Sequence, residues 1–109
     1  MNYFAKMPET PDVSPSHLSF TLLTAANGCV NGCVAGISDY ITEDFSPPAF
    51  HEDQEGFYVI SGNGWARIGE QEQQVSAGDV FIAPAHVAHS MRTLSKDVPL
   101  RILWFHAAV

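Results

Sequence analysis

The strongest structural signal in the chain is the stretch EGFYVISGNG, residues 55–64. After one acidic residue it runs through aromatic and β-branched side chains and ends in a Gly-Asn-Gly turn, a composition typical of a β-strand. We therefore predict a strand over residues 55–61. A second strand-like run follows over residues 65–68, and a Gly-Asn-Gly turn between two such runs predicts a hairpin.

Short strand-like runs alternate with turn signals along the rest of the chain as well. No long window carries a helical apolar stripe with capping residues. Many short strands separated by turns predict an all-β protein, built as a sandwich or a barrel. The further strands are predicted over residues 18–23, 33–41, 71–76, 80–83, 89–94 and 100–107.

Chain length and the positions of the prolines predict the domain organisation. The chain has 109 residues, which is enough for one domain with a single core. Residues 1–16 carry Pro8, Pro11 and Pro15, so we predict an irregular N-terminal arm or an edge strand there. The barrel domain is predicted over residues 17–109.

Composition excludes two classes of partner. Five Lys and Arg residues stand against twelve Asp and Glu residues, a formal net charge of −7, and the basic residues are scattered. Nucleic acids and anionic membranes both need a clustered positive surface, so neither is an expected partner. No apolar run approaches the ~20 residues that span a bilayer, and the N-terminus has no apolar signal segment. We therefore expect the protein in the cytoplasm.

Two cysteines, Cys29 and Cys33, flank an Asn-Gly turn. A zinc site built on them would need further soft ligands nearby, and the sequence offers none. We interpret the two cysteines as reduced thiols in a reducing compartment.

Two segments carry histidine, glutamate, glycine and proline at defined intervals. In the first, His51 lies four residues before Glu55, and six residues separate Glu55 from the first glycine of the turn. In the second, five residues separate Gly78 from Pro84, and His89 follows Pro84 by five. The two segments resemble the two motifs of the cupin superfamily. This resemblance implies an all-β, single-domain jelly-roll β-barrel, the double-stranded β-helix of small cupin 2 proteins.

The resemblance covers roughly residues 47–93 and includes departures from the family pattern. Ala49 occupies the position of the first motif's leading histidine, and Glu43 that of its opening glycine. In the second motif, His86 stands in place of a glycine and Thr93 in place of the closing asparagine. The first motif is therefore degenerate, and one metal-ligand position of the family is apolar in this chain.

The resemblance implies that His51, Glu55 and His89 are metal ligands. Alternate residues of each barrel strand point inward, so side chains distant in sequence can converge on one interior point. Two imidazoles and one carboxylate suit Fe, Mn, Ni or Zn and leave open positions for water or substrate, and affinity alone does not name the metal. In the alternative interpretation the site lost its metal when the motif's leading histidine was replaced by Ala49. His51 is then a rim histidine and Glu55 a solvent-facing acid.

A second group of residues is expected to line a pocket for a small molecule. The last strand should place Ile102, Trp104 and His106 inward, because the opposite phase would bury the charge of Arg101. His106 could then line the pocket or supply a substitute ligand. We also expect four apolar residues to form a wall of this pocket, although ordinary core packing is the alternative interpretation for each. These residues are Phe57, Val59, Met91 and Trp104.

Four other polar residues near these segments are expected at the surface. The spacing to the turn glycine selects Glu55 as the inward acid, which leaves Glu52 and Asp53 as loop acids facing solvent. His17 and His86 are isolated histidines, a class of residue that is mostly partly or fully exposed.

Two functions remain open at this stage. The first is an enzyme that uses a divalent metal to act on a small molecule; reactions of the family include dioxygenation, isomerisation, epimerisation and decarboxylation, and no residue chooses among them. The second is a non-catalytic barrel that binds or senses a small ligand. A small open barrel also has edge strands to protect, so we expect a homodimer in which the arm and the run Leu18–Leu23 pair with a second subunit.

Overall fold

The computed structural model describes residues 1–107 and consists almost wholly of antiparallel β-strands. Within those residues the one helical element is a 3-10 turn at Ala25–Asn27. The prediction of an all-β protein is confirmed, while residues 108–109 of the predicted barrel lie outside the described part of the chain. Residues 1–107 form the strands β1 (Asp12–Val13), β2 (His17–Leu23), β3 (Val34–Tyr40), β4 (Gln54–Ser61), β5 (Asn63–Ile68), β6 (Gln71–Ser76), β7 (Val80–Ala83), β8 (His89–Thr93) and β9 (Leu100–Ala107).

The strands form two sheets that share one hydrophobic core, which gives the predicted jelly-roll barrel. The larger sheet has six strands in the order β1-β2-β3-β9-β4-β7, and the smaller has three in the order β6-β5-β8. Inward-facing apolar side chains of both sheets meet between them, because alternate residues of each strand point to the same face. The core includes Phe57, Val59, Leu100 and Ile102 from the larger sheet and Ala66, Val75 and Met91 from the smaller one.

The Gly-Asn-Gly segment does not form the predicted hairpin. β4 pairs with β7 and β9 in the larger sheet, whereas β5 pairs with β6 and β8 in the smaller one. Gly62 has a φ of 85°, and a Cβ atom at this position would clash with the carbonyl oxygen of Pro99. The hairpin prediction was wrong because this glycine carries the chain from one sheet to the other, past a neighbouring backbone that leaves no room for a side chain.

The N-terminal segment adds the short strand β1 to one edge of the larger sheet, where β1 pairs with β2. The side chain of Asn27 donates a hydrogen bond to the carbonyl of Asn2 at 2.9 Å, which connects the first residues to the 3-10 turn. β2 lies between β1 and β3, and residues 18–19 of the run Leu18–Leu23 pair with strands of their own chain on both sides, so the expectation that this run pairs with a second subunit does not fit the sheet. No helix in residues 1–107 is long and apolar enough to cross a membrane.

The pairing of β4 with β9 sets the depth of the inward-facing side chains. Because every second residue of a strand points inward, cross-strand pairs form successive layers from the rim of the barrel to its core. Polar residues occupy the rim layer and fully buried aliphatic residues the innermost one. In order of increasing depth, the pairs are Glu55 with His106, Phe57 with Trp104, and Val59 with Ile102.

Candidate metal centre

Glu55 is a buried carboxylate at the centre of a cluster of histidines. It lies near the start of β4 and is only 6% exposed. A buried carboxylate is unfavourable unless polar or charged partners surround it, and here three imidazole Nε2 atoms do so. The separations are 3.4 Å from His51 and 3.2 Å from His89 to Oε1, and 3.5 Å from His106 to Oε2.

Backbone pairing outside the regular strands positions the two motif histidines. Ala49 and His89 form an isolated bridge with reciprocal backbone hydrogen bonds of 2.8 and 2.9 Å. The amide of His86 donates to the carbonyl of His51 at 2.8 Å. The loop that carries His51 is thereby bound to the segment that leads into β8. The rings of His51 and His89 consequently lie 5.1 Å apart, both facing Glu55.

The donor atoms of this cluster have spacings that suit a metal ion. One ligand atom from each of His51, Glu55 and His89 lies within 4.8 Å of the others. Two ligands bound at about 2.1 Å to one tetrahedral or octahedral ion are about 3.0–3.4 Å apart. The separations of 3.2 and 3.4 Å fall in that range, whereas charge-assisted hydrogen bonds are about 2.7–2.9 Å long.

The chemistry of the donors fits a metal equally well. Two imidazoles and one carboxylate are a set that could hold Fe, Mn, Ni or Zn. Nδ1 of His89 is buried and has no hydrogen-bond partner within residues 1–107. A buried nitrogen of this kind ordinarily has a partner such as an ordered water, but it is not the nitrogen that faces Glu55. The donor set formed by Nε2 of the two histidines and Oε1 of Glu55 is what fits a divalent cation.

His106 lies on the other side of Glu55 and is paired with Asp53. Its Nδ1 is 2.9 Å from Oδ2 of Asp53, and its Nε2 faces Glu55. The expectation that Asp53 is a solvent-facing loop acid holds only in part: Asp53 lies in a bend just before β4, but its side chain is 31% exposed and faces His106. Glu52, in the same bend, is exposed as predicted.

The cluster opens onto a cavity of about 230 Å³. Trp104 and His106 from β9 form part of its wall. The indole nitrogen of Trp104 donates to Oγ of Ser38 at 2.9 Å, and that hydroxyl is 2.8 Å from the hydroxyl of Ser19. These hydrogen bonds fix the orientation of the indole ring beside the metal-ligand cluster.

His17 and Tyr40 also line this cavity, and neither was identified from the sequence. Their rings stack at 5.2 Å, so the expectation of an exposed His17 was wrong. Burial lowers the pKa of His17, while burial, together with the nearby charge of Glu55, raises the pKa of Tyr40. A neutral imidazole and a protonated phenol therefore face the cavity at neutral pH.

Phe57, Val59 and Met91, which were expected in the cavity wall, lie in the core beneath it. Each is 1% exposed or less. The ring of Phe57 packs 4.9 Å from that of Phe81 and 5.4 Å from that of His89, so it supports the ligand cluster from below. Because these side chains fill the interior, the cavity is shallow. Of the predicted wall, Trp104 and His106 line it.

A larger cavity of about 600 Å³ lies at the opposite edge of the barrel, beside β6 and β7. Ile68, Phe81 and Val75 supply apolar wall, and Glu72 and Asp79 supply the acids. Among the described residues that line it there is no histidine or cysteine. Of these two cavities, the smaller one is therefore the one lined by the histidines and Glu55.

The jelly-roll barrel and the cluster of histidines and a glutamate at its rim define a class of small β-barrels with a polar cluster at the mouth of the barrel. Within that class, the family model described as "Cupin domain" matches residues 40–106, and the chain belongs to this family. The matched range contains every residue of the His/Glu cluster.

Known proteins similar to this chain include one sequence relative and several solved structures. An uncharacterised protein of Streptomyces coelicolor is 37% identical over 62 residues, which are 57% of this chain and 55% of the relative, so the match spans about half of that protein. A predicted oxalate decarboxylase of Thermotoga maritima has a TM-score of 0.82 at 17% identity, covering 96% of this chain and 98% of the other. Salicylate 1,2-dioxygenase of Pseudoaminobacter salicylatoxidans has a TM-score of 0.74 at 15% identity, covering 88% and 26%. At these identities the structural similarities establish the fold alone.

Proposed function

We propose that the protein binds a divalent metal through His51, Glu55 and His89 and acts on a small oxygenated molecule in the adjoining cavity. The observation that carries this proposal is the convergence of the three side chains within 4.8 Å at the cavity wall. The side chain of His51 is 38% exposed, whereas those of His89 and Glu55 are 6% and 8% exposed. The cluster is therefore accessible from one side, as a substrate requires.

A divalent ion in this site would supply Lewis-acid chemistry or a site for O₂. The chain's own residues would bind and orient the substrate. Tyr40, which keeps its proton, would offer its hydroxyl to a substrate at the cavity wall, and Trp104 would offer a flat apolar face. No lysine or arginine is among the described residues that line the cavity. We therefore favour a neutral or weakly charged substrate whose oxygen atoms bind the metal.

The reaction is proposed at the level of a class. The similar proteins include a predicted oxalate decarboxylase and a salicylate 1,2-dioxygenase, which supports chemistry on small oxygenated compounds. Metal-dependent dioxygenation, isomerisation and decarboxylation are the candidates. Metal identity, among Fe, Mn, Ni and Zn, follows from availability as much as from this donor set.

A specific observation favours a second function, that of a non-catalytic ligand-binding module. Ala49 places a methyl group where the family motif carries a histidine. A barrel that had lost its metal would still offer Tyr40, Trp104 and His17 to a small ligand. The two functions differ in whether a metal is bound at all.

Elemental analysis of the purified protein tests the proposal. We expect about one divalent ion per chain in the wild type, as for a three-ligand site with open positions, and only the buffer background in the Glu55→Ala/His89→Ala double variant. The double variant Glu52→Ala/His86→Ala changes the same residue types outside the proposed ligand set and should retain the metal. Equal metal content in the wild type and in Glu55→Ala/His89→Ala would contradict the proposal and leave the ligand-binding module.

We also propose that the protein is a homodimer. The outer face of the larger sheet exposes an apolar patch that spans β9, β4 and β7. Soluble monomers rarely expose contiguous apolar areas beyond a few hundred Å². A second copy of this chain fits the patch because a two-fold axis pairs a surface with itself. The patch consists of Tyr58, Ile60, Val80, Ile82 and Phe105, which are 39–72% exposed.

The dimer prediction is tested by light scattering coupled to size exclusion. The wild type should have twice the mass of the chain. The Val80→Lys/Ile82→Lys double variant should have the mass of one chain, because two desolvated ammonium groups cannot be accommodated in an apolar interface. Val30→Lys changes an equally exposed valine (71%) away from the patch and should remain dimeric. A monomeric wild type would contradict the prediction.

A reducing compartment such as the cytoplasm is proposed on the state of the cysteines. Cys29 and Cys33 are both free thiols, and Cys33 is exposed. Free thiols this close in sequence persist where glutathione and thioredoxin keep them reduced.

A further inference from the structure

We propose that His106, on the last strand, is the fourth side-chain ligand of the metal, in place of the histidine missing at Ala49, and that Asp53 positions it. This inference rests on the proposed metal site at His51, Glu55 and His89. The motif residues alone supply three donors. His106 lies outside both motifs and reaches the same carboxylate from a different strand.

Strand register is the first observation that supports this assignment. Glu55 and His106 are direct partners in the pairing of β4 with β9, and their side chains point to the same face of the sheet. Directly opposed residues have Cβ atoms about 4.5–5.5 Å apart, so their side chains can share one small partner. Ala49 and His106 both line the cavity into which Glu55 faces. The β9 histidine thus reaches the site from within the larger sheet, whereas Ala49 belongs to the loop bridged to β8.

The distances around Glu55 are the second observation. Nε2 of His106 lies 3.5 Å from Oε2, a separation close to the 3.2 and 3.4 Å of His89 and His51 from Oε1. The ring of His106 also lies 5.1 Å from that of His51, edge to face. All three imidazoles therefore direct the same nitrogen towards one carboxylate, with His51 and His89 facing Oε1 and His106 facing Oε2. The donor atoms that already lie within 4.8 Å of one another are those of His51, Glu55 and His89, so coordination by His106 requires the carboxylate or the ring to shift slightly.

The hydrogen bond from His106 to Asp53 is the third observation. An ionised carboxylate only accepts hydrogen bonds, so the contact of 2.9 Å places the ring proton of His106 on Nδ1. In the neutral ring this leaves Nε2, the nitrogen that faces Glu55, free to bind a metal ion. Metal-bound histidines characteristically donate their second nitrogen to a carboxylate in this way, which fixes both the tautomer and the orientation of the ring. His106 has this arrangement, whereas Nδ1 of His89 has no partner among the described residues.

Metal affinity, measured for Zn(II) and Co(II) by competition with a chromophoric chelator, tests the role of His106. His106→Ala should weaken binding by at least about 100-fold, beyond the 10–100-fold that loss of an orienting partner costs. The matched control His86→Ala removes a loop histidine whose side chain is not among the cavity-lining residues, and its affinity should equal that of the wild type. Wild-type affinity in His106→Ala, with Glu55→Gln and His89→Ala impaired, would overturn this assignment and leave the proposed metal site intact. Failure of the wild type to bind either metal would overturn both.

A measurement on the unaltered protein removes the dependence on variants that fold poorly. X-ray absorption of the Zn(II)-loaded wild type counts the imidazoles bound to the ion. Three imidazoles are expected, from His51, His89 and His106. Two would overturn the assignment of His106.

The positioning role of Asp53 has its own readout in a double-mutant cycle. Asp53→Ala should weaken Zn(II) binding by about 10–100-fold in the wild type and should have no further effect when His106 is already alanine, because residues that act through one group are not additive. Asp53→Asn, which keeps an oxygen acceptor, should lose less affinity than Asp53→Ala. An equal effect of Asp53→Ala with and without His106 would overturn its positioning role.

Discussion

Substitution of Glu55 by glutamine is expected to reduce metal affinity by at least about 100-fold, more than the loss of an outer-shell partner costs. Glutamine has nearly the same shape, so the core beneath it is preserved, yet its amide oxygen is a weaker and uncharged ligand. Glu55 is the residue that the nearby imidazoles share, at 3.2–3.5 Å from their Nε2 atoms. Chelator competition gives the affinity, and circular dichroism verifies that the variant is folded.

Glu52→Gln is the matched control for this substitution. Glu52 lies three residues earlier, carries the same side chain and is exposed rather than buried. Its substitution changes the net charge by the same amount, so any long-range effect of charge on cation binding appears equally in both variants. Equal affinities of Glu55→Gln and Glu52→Gln would contradict the role given to Glu55.

Substitution of Phe57 by alanine is expected to destabilise the protein by about 3–5 kcal/mol, the cost of removing a fully buried aromatic ring from a packed core. Phe57 is 1% exposed and packs against Phe81 and His89. Domains of this size have total stabilities of about 5–15 kcal/mol, so the variant loses a large part of its stability. Urea denaturation, with the free energy of unfolding extrapolated to water, measures the change.

Phe50→Ala provides the control because Phe50 is 63% exposed. Surface substitutions of this kind usually change stability by less than about 0.5 kcal/mol. Comparable losses in Phe57→Ala and Phe50→Ala would contradict the layered arrangement in which Phe57 supports the ligand cluster.

The strands were predictable because they depend on local features. Alternation, β-branched residues and turn glycines mark strands such as β4 (Gln54–Ser61) and β9 (Leu100–Ala107). Strand pairing was not predictable in the same way. The segment at Gly62 has the composition of a hairpin turn, but the backbone at Pro99 and the second sheet determine where the chain continues. That information is tertiary and is absent from the local pattern.

The candidate site was likewise predictable only where local spacing determines it. The spacing of the two motifs selected His51, Glu55 and His89, and the structure brings their donor atoms within 4.8 Å of one another. The contact of Asp53 with His106 was missed because Asp53 lies in a bend before β4, where no strand period predicts the direction of its side chain.

His17 and Tyr40 illustrate a different limit of sequence-based prediction. Their contact depends on the register of β2 against β3, which pairs them directly. Each of the two strands has a recognisable pattern, but a one-residue slip in pairing would separate these rings and move one of them to the outer face. Only the assembled sheet shows that they close one side of the cavity.

Anomalous diffraction from crystals of the protein grown with its bound metal, recorded on both sides of the metal absorption edge, tests the proposed centre most directly. The result we expect is a single peak per chain, about 2.0–2.2 Å from the ligand atoms of His51, Glu55 and His89, the distance typical of nitrogen and carboxylate ligands. A metal peak elsewhere on the chain, or no peak beside the Glu55 carboxylate, would contradict the account.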